Sequence, residues 1–280
     1  MSKRTTYIKT KDYSLSQESF NLEYEANFDM LITTPKPENL GKYYPKDSYI
    51  SHKDQSKKLI DKLYLLVKKY TLNQKIKYIT KFQKKSKTLL DIGTGTGEFL
   101  IQAKTKNWKV VGVEPNKLAR EKGKNKQIDI HETLDHLNGK KFNIITLWHV
   151  LEHLPNLNEE ITKIDSLLEQ EGTLIIAVPN FKSYDAKYYK THWAAYDVPR
   201  HLWHFSKNSI EAVFKQHGYK IQEIKPMYFD SYYVSLLSEK YKNGKANYIK
   251  AFYRGWLSNY QARTSGEYSS LIYTLKRGKN

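Results

Sequence analysis

The chain has 280 residues, enough for one large domain or for one domain with additions. It contains no cysteine, which excludes disulfide bonds and thiolate metal sites, and its aromatic share of 14% argues against general disorder. The net charge of +18 leaves nucleic acid open as a partner, but much of it lies in the lysine-rich residues 53–87, which we interpret as solvated helix surface. No signal peptide and no apolar stretch long enough to span a membrane is recognisable, so we expect a cytoplasmic protein.

The N-terminal part of the chain predicts strands, then a loop, then helices. Residues 12–34 alternate apolar and polar side chains, which predicts a hairpin through Glu25–Asn27. Residues 35–52 form a loop rich in proline, glycine and tyrosine. From Asp54 onward the apolar residues recur with a period of 3.6, which predicts a helix and, after Asn73, a second one.

Strand and helix patterns then alternate to the end of the chain. The predicted strands cover residues 89–92, 110–115, 129–132, 142–148, 172–180, 220–229 and 269–276. One predicted helix begins at residue 98. Three others cover residues 116–125, 157–168 and 207–218, and a helical insert covers 232–262. Such alternation predicts an α/β fold, in which helices cover both faces of a parallel sheet.

These patterns predict two parts. Residues 1–52 would be an N-terminal hairpin or lid extension, and residues 53–280 would be the main domain. Within the main domain we distinguish basic helices, a core, the helical insert and a last strand, at residues 53–87, 88–230, 232–262 and 269–277.

The most informative stretch is LLDIGTGTGEF, residues 89–99, where three glycines separate a strand from a helix. Gly93, Gly95 and Gly97 can adopt positive φ and let a ligand approach the backbone closely. The next strand ends at Glu114, where a carboxylate can accept hydrogen bonds from both hydroxyls of a ribose. The pattern predicts a ligand with an adenosine-like sugar; a tight turn without a ligand is the alternative.

Charges around this turn distinguish two classes of ligand. A dinucleotide site uses the spacing G-x-G-x-x-G to bind a pyrophosphate, whereas the spacing here is G-x-G-x-G. Glu98 at the helix start would repel a pyrophosphate, and Asp91 adds a second negative charge. S-adenosylmethionine carries an ammonium and a sulfonium but no phosphate. The turn therefore suits S-adenosylmethionine better than NAD.

Four segments in this order carry a family resemblance: LLDIGTGTGEF, VVGVEPN, FNIITLWHVLEHL and GTLIIAVPN. They resemble the class I S-adenosylmethionine-dependent methyltransferases, and most closely the branch of the ubiquinone and menaquinone methyltransferases. The resemblance, over about residues 86–230, implies a Rossmann-like sheet of seven mostly parallel strands with an antiparallel last strand. The N-terminal strands would add a small β extension to it. It also implies S-adenosylmethionine as the cofactor.

The resemblance assigns individual residues to that cofactor. Asp91 and the turn residues Gly93, Thr94, Gly95 and Gly97 would hold its methionine end. Glu114 would bind the ribose hydroxyls, and Pro115 or Asn116 would flank the adenine.

The segment WHVLEHL, residues 148–154, contains H-x-x-E-H, which also occurs in inverted zinc peptidases. A peptidase needs this motif inside a helix, and here it begins at a strand end. The ubiquinone O-methyltransferases have E-x-x-E-H at this place, associated with a divalent ion. The resemblance thus leaves a divalent metal at His149, Glu152 and His153 open without predicting one. Alternatively, His149 lines the cofactor pocket while Glu152 and His153 hold the loop by hydrogen bonds.

The segment HWAAYDVPRHLWHFS, residues 192–206, should lie at the open end of the sheet, and many relatives in this branch have a similar run. Arg200 is a candidate to hold an anionic or carbonyl group of the acceptor. His201 is the first candidate, and His204 the second, to take a proton from an acceptor hydroxyl. The alternative is a buried polar network of Asp197, Arg200 and one histidine that fixes the loop.

We therefore predict an S-adenosylmethionine-dependent methyltransferase that acts on oxygen or carbon of a small-molecule or lipid-linked acceptor. Catalysis would come mainly from positioning and from exclusion of water. Two alternatives remain. The net charge supports an RNA methyltransferase, although nucleic acid is not the favoured partner, and the cofactor site alone would also fit a binding protein without transferase activity.

Overall fold

The computed structural model describes residues 4–44, 58–83 and 86–278, with the backbone alone for residues 58–64. Two compact units divide the described residues. One contains residues 4–44, 149–157 and 176–278, and we call it the histidine unit; the other contains residues 58–83, 86–148 and 158–175, and we call it the glycine-turn unit. The boundary predicted at residues 52–53 and the start of the helix predicted from Asp54 lie outside the described residues. The predicted division into two parts stays a prediction.

Strands and helices alternate over most of the described chain. The strands are β1 (Thr5–Lys11), β2 (Ser19–Glu25), β3 (Met30–Thr34), β4 (Thr88–Ile92), β5 (Lys109–Val113), β6 (Asp129–His131), β7 (Phe142–Trp148), β8 (Leu168–Pro179), β9 (Trp203–His204), β10 (Tyr219–Pro226) and β11 (Ser270–Arg277). The α-helices are α1 (Lys58–Thr80), α2 (Glu98–Lys104), α3 (Lys117–Lys124), α4 (Leu157–Leu167), α5 (Tyr184–Tyr189), α6 (Lys207–Gln216), α7 (Asp230–Asn243) and α8 (Tyr248–Ser265). Within the described residues, no helix combines the length and apolar content needed to cross a bilayer.

The larger sheet has the strand order β10-β11-β8-β7-β4-β5-β6. β4 pairs in parallel with both β5 and β7, and β5 pairs in parallel with β6. β10 and β11 are antiparallel at one edge. This architecture confirms the predicted α/β fold with a mostly parallel seven-stranded sheet and an antiparallel last strand.

The order of the strands explains why the glycine turn is a suitable place for a ligand. The chain moves from β4 outward to β5 and β6 and then returns to β7 on the other side of β4. In open parallel sheets, ligands bind at the carboxyl ends of the strands where the strand order reverses. The glycine turn follows the carboxyl end of β4, at this reversal.

The N-terminal strands are part of a second sheet, whose order is β1-β2-β3-β9. Its fourth strand comes from the histidine-rich segment: β9 pairs antiparallel with β3, so that Leu31 lies opposite His204 and Ile32 opposite Trp203. The small N-terminal β extension is thus completed by distant residues. The hairpin predicted through residues 25–27 is present as β2 and β3, whereas β1 has no counterpart in the sequence-based prediction.

The structure also corrects the prediction of two helices before the glycine turn. α1 continues from Lys58 to Thr80 without a break. The apolar pattern of Ile76, Ile79 and Phe82 predicts a second helix after Asn73, and an asparagine inside a helix can compete for nearby backbone groups. Its side-chain oxygen instead accepts a hydrogen bond from Gln102 Nε2 at 3.0 Å, so it does not compete with the helix.

Asp185 organises the core of the histidine unit. It is fully buried, and its carboxylate accepts three hydrogen bonds of 2.7 Å, from Trp193 Nε1, Ser258 Oγ and Ser269 Oγ. Trp193 lies beyond the end of α5, Ser258 lies in α8, and Ser269 directly precedes β11. A buried carboxylate needs such donors because burial removes its hydration. Asp185 therefore fixes three separate chain segments to one another.

We expect Asp185→Ala to lower the free energy of unfolding by about 3 kcal/mol, because three buried donors lose their acceptor. Urea unfolding followed by circular dichroism measures this difference. Glu211→Ala is the control, since Glu211 is exposed on α6 of the same unit. A loss below about 1 kcal/mol for Asp185→Ala would contradict the role given to this carboxylate.

Candidate functional site

The turn after β4 has the backbone that its glycines permit. Gly93, Gly95 and Gly97 have φ values of 70°, 55° and 76°, which lie in the left-handed region that glycine adopts without strain. The N–H groups of Gly93 and Thr94 both donate to the Val113 carbonyl, at 2.7 and 3.1 Å. These two bonds fasten the turn to the carboxyl end of β5.

Glu114 lies directly beside this turn. The side chain is almost fully buried; Oε2 accepts a hydrogen bond from Gly95 N at 2.8 Å and Oε1 accepts one from Asn116 N at 2.9 Å. A carboxylate has about four acceptor positions, so each oxygen keeps capacity for a ligand hydroxyl. Asn116 in turn caps α3, because its Oδ1 accepts from Ala119 N at 3.0 Å. The loop that contains Pro115 is thereby held between two defined ends.

Asp91 lies within β4, below the turn. Its carboxylate is buried and accepts a hydrogen bond of 2.6 Å from Thr146 Oγ1 of the neighbouring strand β7. Burial raises the pKa of Asp91 to about 6, although the bond from Thr146 and the charge of Lys75 act in the opposite direction. Asp91 is therefore an anion at neutral pH but takes up a proton in mildly acidic solution.

α1 contributes two lysines to the surroundings of the turn that the sequence analysis did not single out. Lys68 Nζ lies 2.5 Å from Glu98 Oε2, so the charge that argued against a pyrophosphate is partly balanced in this half-exposed pair. Lys75 Nζ lies 4.3 Å from the centroid of the Trp148 ring. Residues 68 and 75 are two helical turns apart, so they lie on the same face of α1. This spacing could have identified them from the sequence as neighbours on that face.

Trp148 is a further candidate that the sequence analysis did not assign. Its ring contacts Phe99 edge to face with 5.7 Å between centroids, and its indole N–H is buried. Among the described residues, this N–H has no hydrogen-bond acceptor. A buried indole N–H without an acceptor suits a polar ligand group, so Trp148 and Phe99 join the turn as candidate ligand contacts within the glycine-turn unit.

His149 is the first residue of the histidine unit after β7. It has a φ of 59°, which is unusual for a residue with a side chain. Its Nε2 lies 2.9 Å from Asp230 Oδ2 and its Nδ1 lies 3.5 Å from Glu152 Oε1. Burial lowers the pKa of His149, but Asp230 and Glu152 outweigh burial and raise it to about 10. His149 is thus held as an imidazolium; its predicted place in the cofactor pocket stays a prediction.

Arg200 is buried, and all three of its side-chain nitrogens have partners. Nε donates to Asp197 Oδ2 at 2.9 Å, and Nη1 donates to the Tyr43 carbonyl at 2.9 Å. Nη2 bonds to Asp197 Oδ1 and Ser14 Oγ, each at 2.5 Å, and lies 3.3 Å from Asp12 Oδ1. This geometry favours the buried network over a contact with an acceptor. The acceptor-binding role of Arg200 stays a prediction.

The two histidines predicted as bases differ in what their rings contact. His204 is buried in β9 with Nε2 2.9 Å from Thr33 Oγ1, and burial and His201 hold its pKa well below the usual range. His201 Nδ1 lies 2.9 Å from the Ala195 carbonyl, while its Nε2 lies 3.9 Å from Asp197 Oδ2, beyond hydrogen-bonding distance. His201 therefore keeps a ring nitrogen for another partner. The catalytic role of either histidine stays a prediction.

The family model for the methyltransferase domain matches residues 64–224, which is more than half of the chain. A methyltransferase of Alkaliphilus oremlandii, named as uncharacterized, is 33% identical over 111 residues, covering 37% of this chain and 51% of that protein. The chain thus spans about half the length of this curated relative.

Solved structures agree with the fold. A S-adenosylmethionine-dependent methyltransferase of Thermotoga maritima, described as a possible histamine N-methyltransferase, aligns with a TM-score of 0.51 and 15% identity over 78% of this chain and 94% of that one. A S-adenosylmethionine-dependent methyltransferase of Archaeoglobus fulgidus aligns with a TM-score of 0.50 and 17% identity, over 75% and 94% of the two chains. At these identities the likeness shows the fold alone.

The chain belongs to the methyltransferase domain family, as the family match shows and as the resemblance of its motifs implied. The narrower branch of the ubiquinone and menaquinone methyltransferases stays a prediction.

The pKa of Asp91 leads to a test of the cofactor site. If Asp91 faces the ammonium group of S-adenosylhomocysteine, its protonation below a pKa of about 6 removes an attraction. We expect the affinity for S-adenosylhomocysteine to fall about tenfold between pH 7 and pH 5, as the charged fraction of one carboxyl does. Isothermal titration calorimetry at several pH values measures this.

Two variants make this test specific. Asp91→Asn should bind weakly at pH 7 and lose the pH dependence, whereas Asp135→Asn, which removes an exposed carboxylate of the same unit, should keep it. An unchanged pH profile in Asp91→Asn would show that another group is responsible.

Proposed function

We propose that this methyltransferase-family protein transfers the methyl group of S-adenosylmethionine to an oxygen or carbon atom of a lipid-linked small molecule. The cofactor part of the proposal rests on one observation above the others. A buried carboxylate, Glu114, is fastened by the N–H of Gly95 to a turn made of left-handed glycines. This arrangement presents acceptors for a ribose and, through Asp91, a negative charge for a cationic ligand.

The reaction itself needs little covalent chemistry from the protein. The bond between the methyl carbon and the sulfonium breaks while the bond to the acceptor atom forms, and the electron pair of the broken bond stays on sulfur as S-adenosylhomocysteine. The acceptor atom loses its proton to solvent or to a base. Positioning of the two reactants in line and exclusion of water supply most of the acceleration in this proposal.

The lipid-linked acceptor class is supported by an exposed face of α8 in the histidine unit. Ile249, Phe252 and Trp256 are 86%, 66% and 46% exposed, and they recur at helical spacing on one side. Ala251 and Ala262 are buried on the opposite side. α8 contains lysine and arginine but neither aspartate nor glutamate. A cationic helix with an exposed aromatic and aliphatic face is typical of helices that lie on an anionic lipid surface.

A second candidate function is methylation of RNA, which the net charge of +18 favours. It predicts retention on RNA at physiological salt and an affinity that falls steeply as salt increases. Absence of binding to RNA at physiological salt would exclude this candidate. The remaining alternative is a binding protein without transferase activity. Such a protein would bind the cofactor but would form no S-adenosylhomocysteine when incubated with S-adenosylmethionine and a cell extract that contains possible acceptors.

We expect Glu114→Ala to weaken binding of S-adenosylhomocysteine at least about tenfold, because two hydroxyls lose charge-assisted hydrogen bonds. The thermal shift of the protein with this ligand measures the change, and NAD should give no shift in either form. Glu121→Ala removes an exposed carboxylate from α3 of the same unit and should leave the shift unchanged. Equal shifts for Glu114→Ala and the unmodified protein would refute the cofactor assignment.

We expect the protein to sediment with vesicles that contain phosphatidylglycerol and to stay in solution with phosphatidylcholine vesicles alone. Ile249→Asp combined with Phe252→Asp should abolish sedimentation, because two charges replace the apolar contacts. Leu118→Asp is the control, because Leu118 is 45% exposed on α3. It should sediment like the unmodified protein if the lipid contact is specific to α8. If the double variant sediments like the unmodified protein, α8 is not the lipid contact.

A further inference from the structure

Three potential metal ligands meet within the histidine unit. Glu152, His153 and His201 each offer one ligand atom, and these atoms lie within 4.8 Å of one another. Glu152 and His153 follow β7 closely in the chain, whereas His201 comes from the segment before β9. The three residues belong to none of the cofactor contacts assigned above, and the tertiary fold alone brings His201 to the other two.

Backbone carbonyls fix the orientation of both imidazole rings. His153 Nδ1 lies 3.0 Å from the Arg200 carbonyl, and His201 Nδ1 lies 2.9 Å from the Ala195 carbonyl. A carbonyl oxygen can only accept a hydrogen bond, so each Nδ1 carries a proton and the neutral form of each ring has its lone pair on Nε2. Metal-binding histidines are held in this way, with one nitrogen bonded to the protein and the other turned to the ion.

Glu152 lacks the hydrogen bonds that a buried carboxylate requires. The residue is 1% exposed, and neither of its oxygens accepts a hydrogen bond from any of the described residues. His149 Nδ1 lies 3.5 Å from Oε1, and this ring makes its shorter contact, 2.9 Å, with Asp230. Buried polar atoms without partners are rare, and a bound ion is one of the arrangements that explain them.

Carboxylates outnumber permanently charged cations along this part of the unit. A continuous series of contacts links four carboxylates with one guanidinium, that of Arg200, and with the rings of His149 and His201. The series consists of Asp12, Arg200, Asp197, His201, Glu152, His149 and Asp230. A divalent cation beside Glu152 would add positive charge next to these carboxylates.

We propose that Glu152, His153 and His201 bind a divalent transition-metal ion, for which zinc is the best fit. Two imidazoles and one carboxylate form a ligand set that zinc uses with a water molecule in the fourth position. Magnesium and calcium prefer oxygen ligands alone, which this cluster does not provide. The set differs from the one that the E-x-x-E-H resemblance allows, because the ring of His149 lies between Asp230 and Glu152 and His201 takes its place beside Glu152 and His153.

The assignment changes the role of His201. Its Nε2 lone pair binds the ion and does not take a proton from an acceptor. The inference stands independently of the proposed function, since metal binding can be measured without cofactor or acceptor, and thermal shifts with S-adenosylhomocysteine test the cofactor site separately.

The test uses the full-length protein without a histidine tag, depleted of metal by a chelator and titrated with Zn²⁺ by isothermal titration calorimetry. We expect one equivalent to bind, and Glu152→Gln and His201→Asn each to weaken binding at least about tenfold, as loss of one ligand does. Mg²⁺ should produce no saturable heat. His136→Asn, which removes an exposed histidine of the other unit, should bind like the unmodified protein.

Co²⁺ gives a second measurement that does not depend on the variants folding. A single Co²⁺ in a site of two imidazoles, one carboxylate and water should give intense visible absorption bands of tetrahedral geometry, and Zn²⁺ should displace them. Failure of the unmodified protein to bind either ion, or equal Zn²⁺ affinity in Glu152→Gln, His201→Asn and His136→Asn, would overturn the assignment.

Discussion

The sharp reversal of the chain after β4 is the constraint on which the candidate cofactor site depends. Three glycines adopt left-handed backbone there, and the N–H groups of Gly93 and Thr94 must then bond to the end of β5. The turn in turn constrains β5: a side chain at Gly112 would place its Cβ 2.6 Å from Thr94 Cγ2. A glycine within a strand, normally unfavourable, is therefore required by the turn beside it. The same packing leaves Glu114 next to Gly95, with a hydrogen bond of 2.8 Å between Gly95 N and Glu114 Oε2.

The parts that could be predicted from the sequence are those that local chemistry determines. A glycine turn between a strand and a helix needs only neighbouring residues, and an acid at the end of the next strand follows from the geometry of a parallel sheet. In the structure the three glycines have positive φ and Glu114 follows β5 and accepts a hydrogen bond from Gly95 N, while their binding of the cofactor stays a prediction. The alternation of strands and helices likewise depends on local periodicity, and the predicted fold is confirmed.

The parts that sequence reasoning missed all depend on contacts between distant residues. No local pattern reveals that two residues of a histidine-rich loop form strand β9, because the partner is β3. The lysines of α1 were interpreted as solvent-exposed surface, since their charge pattern does not show that Lys68 and Lys75 lie beside Glu98 and Trp148. Two roles for Arg200 followed from the sequence, contact with an acceptor and a network with the nearby Asp197. The further partners of Arg200, Asp12 and Tyr43, lie far away in the chain, so no local pattern indicates them.

The pairing of β3 with β9 has a consequence for the order in which the protein folds. Thr33 and His204, which share a hydrogen bond across this pair, are 171 residues apart in sequence. During synthesis, β1, β2 and β3 leave the ribosome long before β9 is made, and domains generally fold as they are synthesised. The outer edge of β3 therefore stays unpaired while the whole glycine-turn unit is being made. The glycine-turn unit can complete its strand pairs β4 to β7 in that interval, so the pairing of β3 with β9 should form after them.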